Sequence, residues 1–423
     1  MDRLRIRGGR PLRGTVRVGG SKNESLPCMA ASLLVGELSL ANVPEVRDVA
    51  TMSRLLRTLG VSASQERDGC VLHRDESQSH VADYDLVRQM RASVCVLGPL
   101  LASRGQARVA MPGGCQIGHR PVDVHLRGLS ALGADVRLDR GDIVATASRL
   151  RGAEVDLAGP RGSSVTGTCN VLAAATAAEG TTVLRNAAVE PEVVRYGRLL
   201  QAMGADITGI GTPEIRVTGP AELAGTRHRI SGDRIELVTL AAAAAATGGE
   251  VTIEGVPPGD ADAAAEWLRA TGVSIEETDG AWRVAAPAGG VSQSIETAPH
   301  PGLPTDVQAQ LTAWLTQCRG SASVRDAVFP ERFGHLAELA RLGADVTRTA
   351  EGAVVRGRTD LVGTGVLASD LRASAALVIA GLAAAGETTV RRVYHLDRGY
   401  ERLDRKLHSL GADVVREPDP MPF

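Results

Sequence analysis

Two kinds of hydrophobic pattern take turns along the chain. Stretches rich in Ala and Leu, such as Leu237–Thr247, are apolar all round, which predicts helices buried on every side. Others, such as the residues leading to Gly60 (RLLRTLG) and Gly204 (RLLQAMG), place apolar residues at helical spacing against a charged face, which predicts amphipathic helices. Between them run short segments that alternate apolar and polar residues, such as TTVLRN after Gly180 and EVTIEG after Gly249; this period of two marks strands with one buried face.

These elements repeat. An amphipathic stretch ending in Gly, followed by a small and a β-branched residue, recurs at Gly60, Gly133, Gly204, Gly272, Gly343 and Gly411. The period is roughly seventy residues, well above that of solenoids or propellers. Out of phase with it, an Ala/Leu-rich helix ends in Gly and leads into an alternating strand at Gly36, Gly105, Gly180, Gly249, Gly320 and Gly386. Gly at both corners suits a left-handed helix C-cap. Six α/β units exceed what one core holds at this length, so three per domain and a ligand cleft between pseudo-equivalent halves are expected.

Composition narrows the function. With 47 basic and 49 acidic residues the formal charge is −2, and there are only three Trp, four Tyr and three Phe. A nucleic-acid surface needs a basic field and stacking rings, so a small-molecule partner is expected. The six Cys show neither CxxC nor Cys/His ligand spacing, so no metal site or disulfide scaffold is expected. No signal-peptide pattern is present, and the longest apolar run falls short of the ~20 residues of a membrane span. A cytoplasmic location without membrane contact follows as an expectation. Oligomeric state is left open.

Several segments carry candidate chemistry. In Pro112-Gly-Gly-Cys115-Gln-Ile-Gly-His-Arg120, three Gly surround a Cys, and the neighbouring positive charge favours a thiolate or an anion beside it. Gly19-Gly-Ser-Lys22-Asn23-Glu24 delivers a Lys to a helix start, suited to a phosphate, though a helix cap explains the pattern equally well. Gly162-Ser-Ser164-Val-Thr166 is a second cradle or a plain cap. Asp306, in HPGLPTD, stands at or near a helix N-terminus, where capping alone could account for it. Arg91 in MRAS and Arg372 in LRAS occupy like places in different repeats; with Arg332 and Arg398 they would clamp a multiply charged anion.

Taken together, GGCQIGHRPVDVHL, SKN, MRAS, EPE (Glu190-Pro-Glu192), HPGLPTDVQAQ, DLRAS and DRGYERLDRKL resemble the enolpyruvyl transferases, most closely the branch acting on UDP-N-acetylglucosamine, in collinear order from about Val18 to Val414. The resemblance implies a two-domain inside-out α/β barrel of six repeats. One domain would span residues 22–230 and the other 1–21 plus 231–423, with the active site in the cleft between them. It implies transfer of the enolpyruvyl group of phosphoenolpyruvate to a sugar hydroxyl of a uridine nucleotide, with release of phosphate through a tetrahedral ketal and without metal or organic cofactor.

By matching positions, Cys115 would protonate the donor's methylene carbon, and the epoxide fosfomycin would alkylate it. Asp306 would take the acceptor's proton. Lys22, Arg120 and Arg398 would hold the phosphate, and Arg332 and Arg372 the carboxylate, with Arg91 also at the donor. Asn23, Arg120, Pro121, Val122, Asp123, Val124, Ser164, Val165, Thr166, Asp306 and Val328 would meet the nucleotide.

The chain departs from the family pattern at Gly162, Thr166, Glu24 and Pro330. Loss of a cation and added bulk near the acceptor would shift acceptor choice, so UMP in nucleoside natural-product synthesis is an alternative acceptor. A non-catalytic binding paralogue is a third reading. The tail from Glu417 on is expected to be disordered.

Overall fold

The computed structural model describes residues 2–77, 79–113, 118, 122–287 and 289–420. Within it the chain forms two compact units. One holds residues 20–113 and 122–231, and the other residues 2–19 and 232–420.

Each unit contains three four-stranded sheets of one design: an edge strand pairs in parallel with its neighbour, and two antiparallel pairings complete the sheet. In the first unit, Arg227–Arg229 pairs with Glu37–Ala41, which is followed by Gly69–Arg74 and Val61–Glu66. Val81–Ala82 pairs with Gln106–Ala110, followed by Asp142–Thr146 and Asp135–Asp139. Glu154–Asp156 pairs with Gly180–Arg185, followed by Glu214–Gly219 and Asp206–Thr208.

The second unit repeats the plan with borrowed strands. Arg13–Arg17 supplies the parallel edge beside Glu250–Glu254, and Asp2–Arg7 lies antiparallel between Glu387–Arg391 and Asp413–Pro418. The N-terminal segment therefore completes two sheets of the C-terminal unit. Glu417 and Pro418 correct the start of the tail expected to be disordered, since they pair with Arg3 and Asp2 and Arg3 donates to Glu417 at 2.6 Å; residues 421–423 lie outside the described residues.

The two helix classes read from the sequence occupy different places. We label the inner helices in chain order: α1 (Lys22–Ala30), α2 (Leu97–Arg104) and α3 (Val165–Ala175) in the first unit, and α4 (Arg234–Thr247), α5 (Gln308–Leu315) and α6 (Leu371–Ala383) in the second. Helices α4, α5 and α6 pack on one another and are buried almost throughout; the run of small residues Ala241–Ala245 lets their backbones approach. The amphipathic helices, such as Arg47–Thr58 and Pro191–Ala202, bury one stripe and leave the other exposed.

All six Gly of the first series take positive φ, between 76° and 114°. In the second series Gly36 does not, and at the end of α4 the left-handed residue is Gly248 rather than Gly249. Gly249 is needed for another reason: a Cβ there would lie 2.4 Å from the Leu12 carbonyl. No helix among the described residues is long and apolar enough to cross a membrane.

Candidate active site

Asp306 lies in a short 3-10 turn, Thr305–Val307, that leads into α5. Among the described residues its carboxylate caps neither this turn nor α5, which corrects the capping alternative. Instead Oδ1 accepts a hydrogen bond from Arg332 Nη1 at 2.8 Å, and Oδ2 accepts one from Arg372 Nη2 at 2.9 Å. Both guanidiniums are buried, Arg332 at 6% and Arg372 at 1% relative exposure. Burial opposes the charge on Arg372, but Asp306 and the neighbouring acidic groups outweigh it, and its pKa is raised above the ordinary value.

Two cations thus face one carboxylate. The excess shows in the hydrogen bonds: Arg332 Nε and Arg372 Nε and Nη1 are buried without a hydrogen-bond partner among the described residues. A buried N–H of a cation left unsatisfied costs stability, so such a cluster is what a binding site for an anion looks like before the anion arrives.

The surroundings hold these groups in place. Thr305 Oγ1 accepts from Arg332 Nη1 at 3.0 Å and donates to Asp326 Oδ2 at 2.6 Å. Asp326 Oδ1 in turn accepts from Thr297 Oγ1 and from the backbone N–H groups of Val328 and Phe329. On the other side the Tyr400 ring lies 5.3 Å below the Arg372 guanidinium. Gln310 Nε2 donates to both Tyr400 Oη, at 3.0 Å, and the Asp306 carbonyl, at 2.8 Å. Asp370 is the cap that Asp306 is not: its Oδ1 accepts from the N–H groups of Arg372 and Ala373, fixing the start of α6. His335, buried beside Arg332 and Asp370, has its pKa lowered to about 4, first by burial and then by Arg332, with Asp370 opposing. Arg398 ends the 3-10 turn Leu396–Arg398 of the same unit and is half-buried.

The first unit carries the remaining residues. Lys22 and Asn23 open α1 behind Ser21, whose Oγ accepts from the Glu24 N–H at 3.3 Å. Lys22 Nζ lies 3.5 Å from Asp48 Oδ2. Arg91 opens the 3-10 helix Arg91–Val96 and donates to the Pro112 carbonyl at 3.0 Å, which braces the backbone just ahead of the Cys segment. Cys115, Arg120 and Pro121 lie outside the described residues.

Val122 precedes the helix Asp123–Ala131; its side chain and that of Val124 belong to the core, whereas Asp123 is exposed. Ser164 caps α3 by accepting from the Gly167 N–H at 3.1 Å, with Val165 following in the first turn. Thr166 Oγ1 is 3.2 Å from His125 Nε2, and Asn170 Nδ2 donates to His125 Nδ1 at 2.8 Å. Of the departures, Pro330 offers its carbonyl to Arg348 Nη2 at 2.9 Å, and Gly162 takes φ +103° in a small hairpin. Glu24 is the departure that stands beside Asn23 in the chain. It is fully buried and turned toward His228 and Ser231.

Sequence reasoning therefore found Asp306, Arg332 and Arg372, which the fold brings into direct contact, but missed their supports Thr305, Asp326, Gln310, Tyr400 and His335. Thr305 and Gln310 flank Asp306 in the chain and were within reach of a local reading. Tyr400 and Asp326 meet the site only through the packing of helices and strands.

A family model described as EPSP synthase (3-phosphoshikimate 1-carboxyvinyltransferase) matches residues 6–407. Curated UDP-N-acetylglucosamine 1-carboxyvinyltransferases from Magnetococcus marinus and Sorangium cellulosum are 49% and 50% identical, each over 98% of this chain and 99% of its own length. Among solved structures, the enolpyruvyl transferase NikO from Streptomyces tendae superposes with a TM-score of 0.86 at 26% identity, covering 99% of both chains. An EPSP synthase from Acinetobacter baumannii, at TM-score 0.75 and 19% identity over 99% of this chain and all of its own, shares the fold.

Proposed function

Because the chain belongs to the EPSP synthase (3-phosphoshikimate 1-carboxyvinyltransferase) family, we propose that it transfers the enolpyruvyl group of phosphoenolpyruvate to a hydroxyl of UDP-N-acetylglucosamine and releases phosphate. We read its two units as the two three-repeat halves of an inside-out α/β barrel. The observation that carries the chemistry is the cluster at Asp306, where three buried guanidinium nitrogens have no hydrogen-bond partner among the described residues.

The donor's carboxylate is assigned to the open N–H positions of Arg332 and Arg372. Planar, forked donors suit a carboxylate better than an ammonium does, because two parallel hydrogen bonds fix its orientation. Asp306 is assigned the proton of the acceptor hydroxyl. With the donor absent it shares its charge with two cations; once a second carboxylate takes part of that positive charge, Asp306 is a better proton acceptor. Proton transfer is thereby favoured when both substrates are present.

Lys22, Arg398, Arg91 and Arg120 are assigned to the donor's phosphate and neighbouring charge, and Cys115 to delivery of a proton to the methylene carbon. Asn23, Asp123, Val165, Val328 and the segments around Pro121 and Thr166 are assigned to the nucleotide. As that carbon is protonated, positive charge develops at the donor's central carbon among fixed charges; their prior orientation lowers the barrier.

The test is phosphate release from phosphoenolpyruvate with UDP-N-acetylglucosamine and with UMP, side by side. Release dependent on the UDP-sugar is expected. Release with UMP alone would transfer the assignment to the other acceptor, and release with neither would remove the enzymatic reading.

A further inference from the structure

One cluster of chemistry-bearing side chains plays no part in this account. Glu24 and Cys28 are one helical turn apart on α1 and so share a face. His228 comes from the strand Arg227–Arg229, which is paired to Glu37–Ala41 with His228 opposite Leu40. The ligating atoms of Glu24, Cys28 and His228 all lie within 4.8 Å of one another. Glu24 and Cys28 are fully buried, while the His228 side chain is 16% exposed and connects the cluster to the surface.

The two oxygens of Glu24 have different neighbours. Oε2 accepts from Ser231 Oγ at 2.5 Å and from the Ser231 N–H at 3.2 Å, with Arg195 Nε 4.0 Å away. Oε1 faces His228 Nε2 at 2.9 Å. Ser231 and Arg195 thus hold one oxygen and aim the other at the imidazole. Metal sites use this arrangement, since an outer partner orients each carboxylate and histidine ligand.

We propose that Glu24, Cys28 and His228 form a binding site for a zinc-like divalent cation. One sulfur, one nitrogen and one oxygen donor, with a fourth position for water, make a donor set that zinc and cobalt accept in tetrahedral geometry. The cation displaces the proton of the Cys28 thiol, which leaves to solvent, and replaces the Glu24–His228 hydrogen bond by a bond to each residue. The ion joins α1 to the strand Arg227–Arg229 and takes no part in enolpyruvyl transfer. Burial, and next the charge of Glu24, push the Cys28 thiol pKa up, so without a cation the sulfur stays protonated.

Cobalt(II) binding to the full chain tests this, read by equilibrium dialysis and near-ultraviolet absorption. The chain carries Cys115→Ser, so that the thiol of the Gly-rich segment cannot respond. One cobalt per chain is expected, with a thiolate-to-cobalt charge-transfer band that zinc abolishes and that Cys28→Ser lacks. Ser231→Ala is expected to retain the band and weaken binding by about 10- to 100-fold, through loss of the partner that orients Glu24. Circular dichroism establishes that each variant is folded; should Cys28→Ser fail, His228→Asn replaces it with the same expected loss. A band that survives both substitutions, cobalt bound without the band, or no cobalt bound at micromolar free metal would each overturn the site.

Discussion

Asp306 and Glu24 are both carboxylates near the start of an inner helix, and they teach opposite lessons. Asp306 is outnumbered by cations: two buried guanidiniums converge on it, with N–H groups left over. Glu24 has its hydrogen bonds met by Ser231 and His228, and what remains beside it is a thiol and an imidazole, both potential ligands. The first neighbourhood carries surplus positive charge, which suits an anion; the second offers oxygen, sulfur and nitrogen donors, which suit a cation. A carboxylate at a helix start therefore says little by itself; the groups the fold brings to it decide its use.

The sharpest way to break this contrast is Asp306→Asn, which keeps the shape and removes the charge. Turnover, measured by phosphate release, should fall by about 10²- to 10⁴-fold, while calorimetry should still detect UDP-N-acetylglucosamine binding. Near-normal turnover would reject Asp306 as the base. Next, Arg372→Lys keeps a cation but loses the forked donor. Loss of one charge-assisted contact, about 1.5 to 3 kcal/mol, should raise KM for phosphoenolpyruvate by about 10- to 150-fold.

A third test uses pH. The His335 pKa is lowered to about 4 in the folded chain, so on acidification the unfolded chain takes up that proton first. Its contribution to stability is present above the unfolded value near 6.5 and is lost as pH falls toward 4, by up to about 3 kcal/mol. Urea unfolding between pH 7 and 4 should show this loss, and His335→Gln should flatten it. Glu24→Ala should cost about 1 to 3 kcal/mol of stability, because His228 and Ser231 lose a buried partner. The smallest effect on stability belongs to Ser164→Ala, which removes a helix cap, about 1 kcal/mol in thermal or urea melts.

What could be read from the chain follows the same division. The layering of the fold was legible because the two helix classes differ in their polar faces, and that difference decides which are interior. Asp306, Arg332 and Arg372 were legible because each lies in a short motif. Glu24 was legible as a departure but not in its use, since Ser231 and His228 are some two hundred positions away and arrive only when Arg227–Arg229 pairs beside Glu37–Ala41. Cysteine spacing is silent on such a cluster for the same reason. A site assembled from one helix and one distant strand leaves no interval to recognise.

The borrowed strands Asp2–Arg7 and Arg13–Arg17 bear on biogenesis. Residues 2–19 leave the ribosome before any of their partners exist, and Asp413–Pro418, which flanks Asp2–Arg7, is made about four hundred residues later. The intervening chain can condense while these strands wait unpaired, an alternating apolar ribbon exposed to other nascent chains. Bulk placed beside these strands would burden the last step of maturation, when the final sheet is sealed.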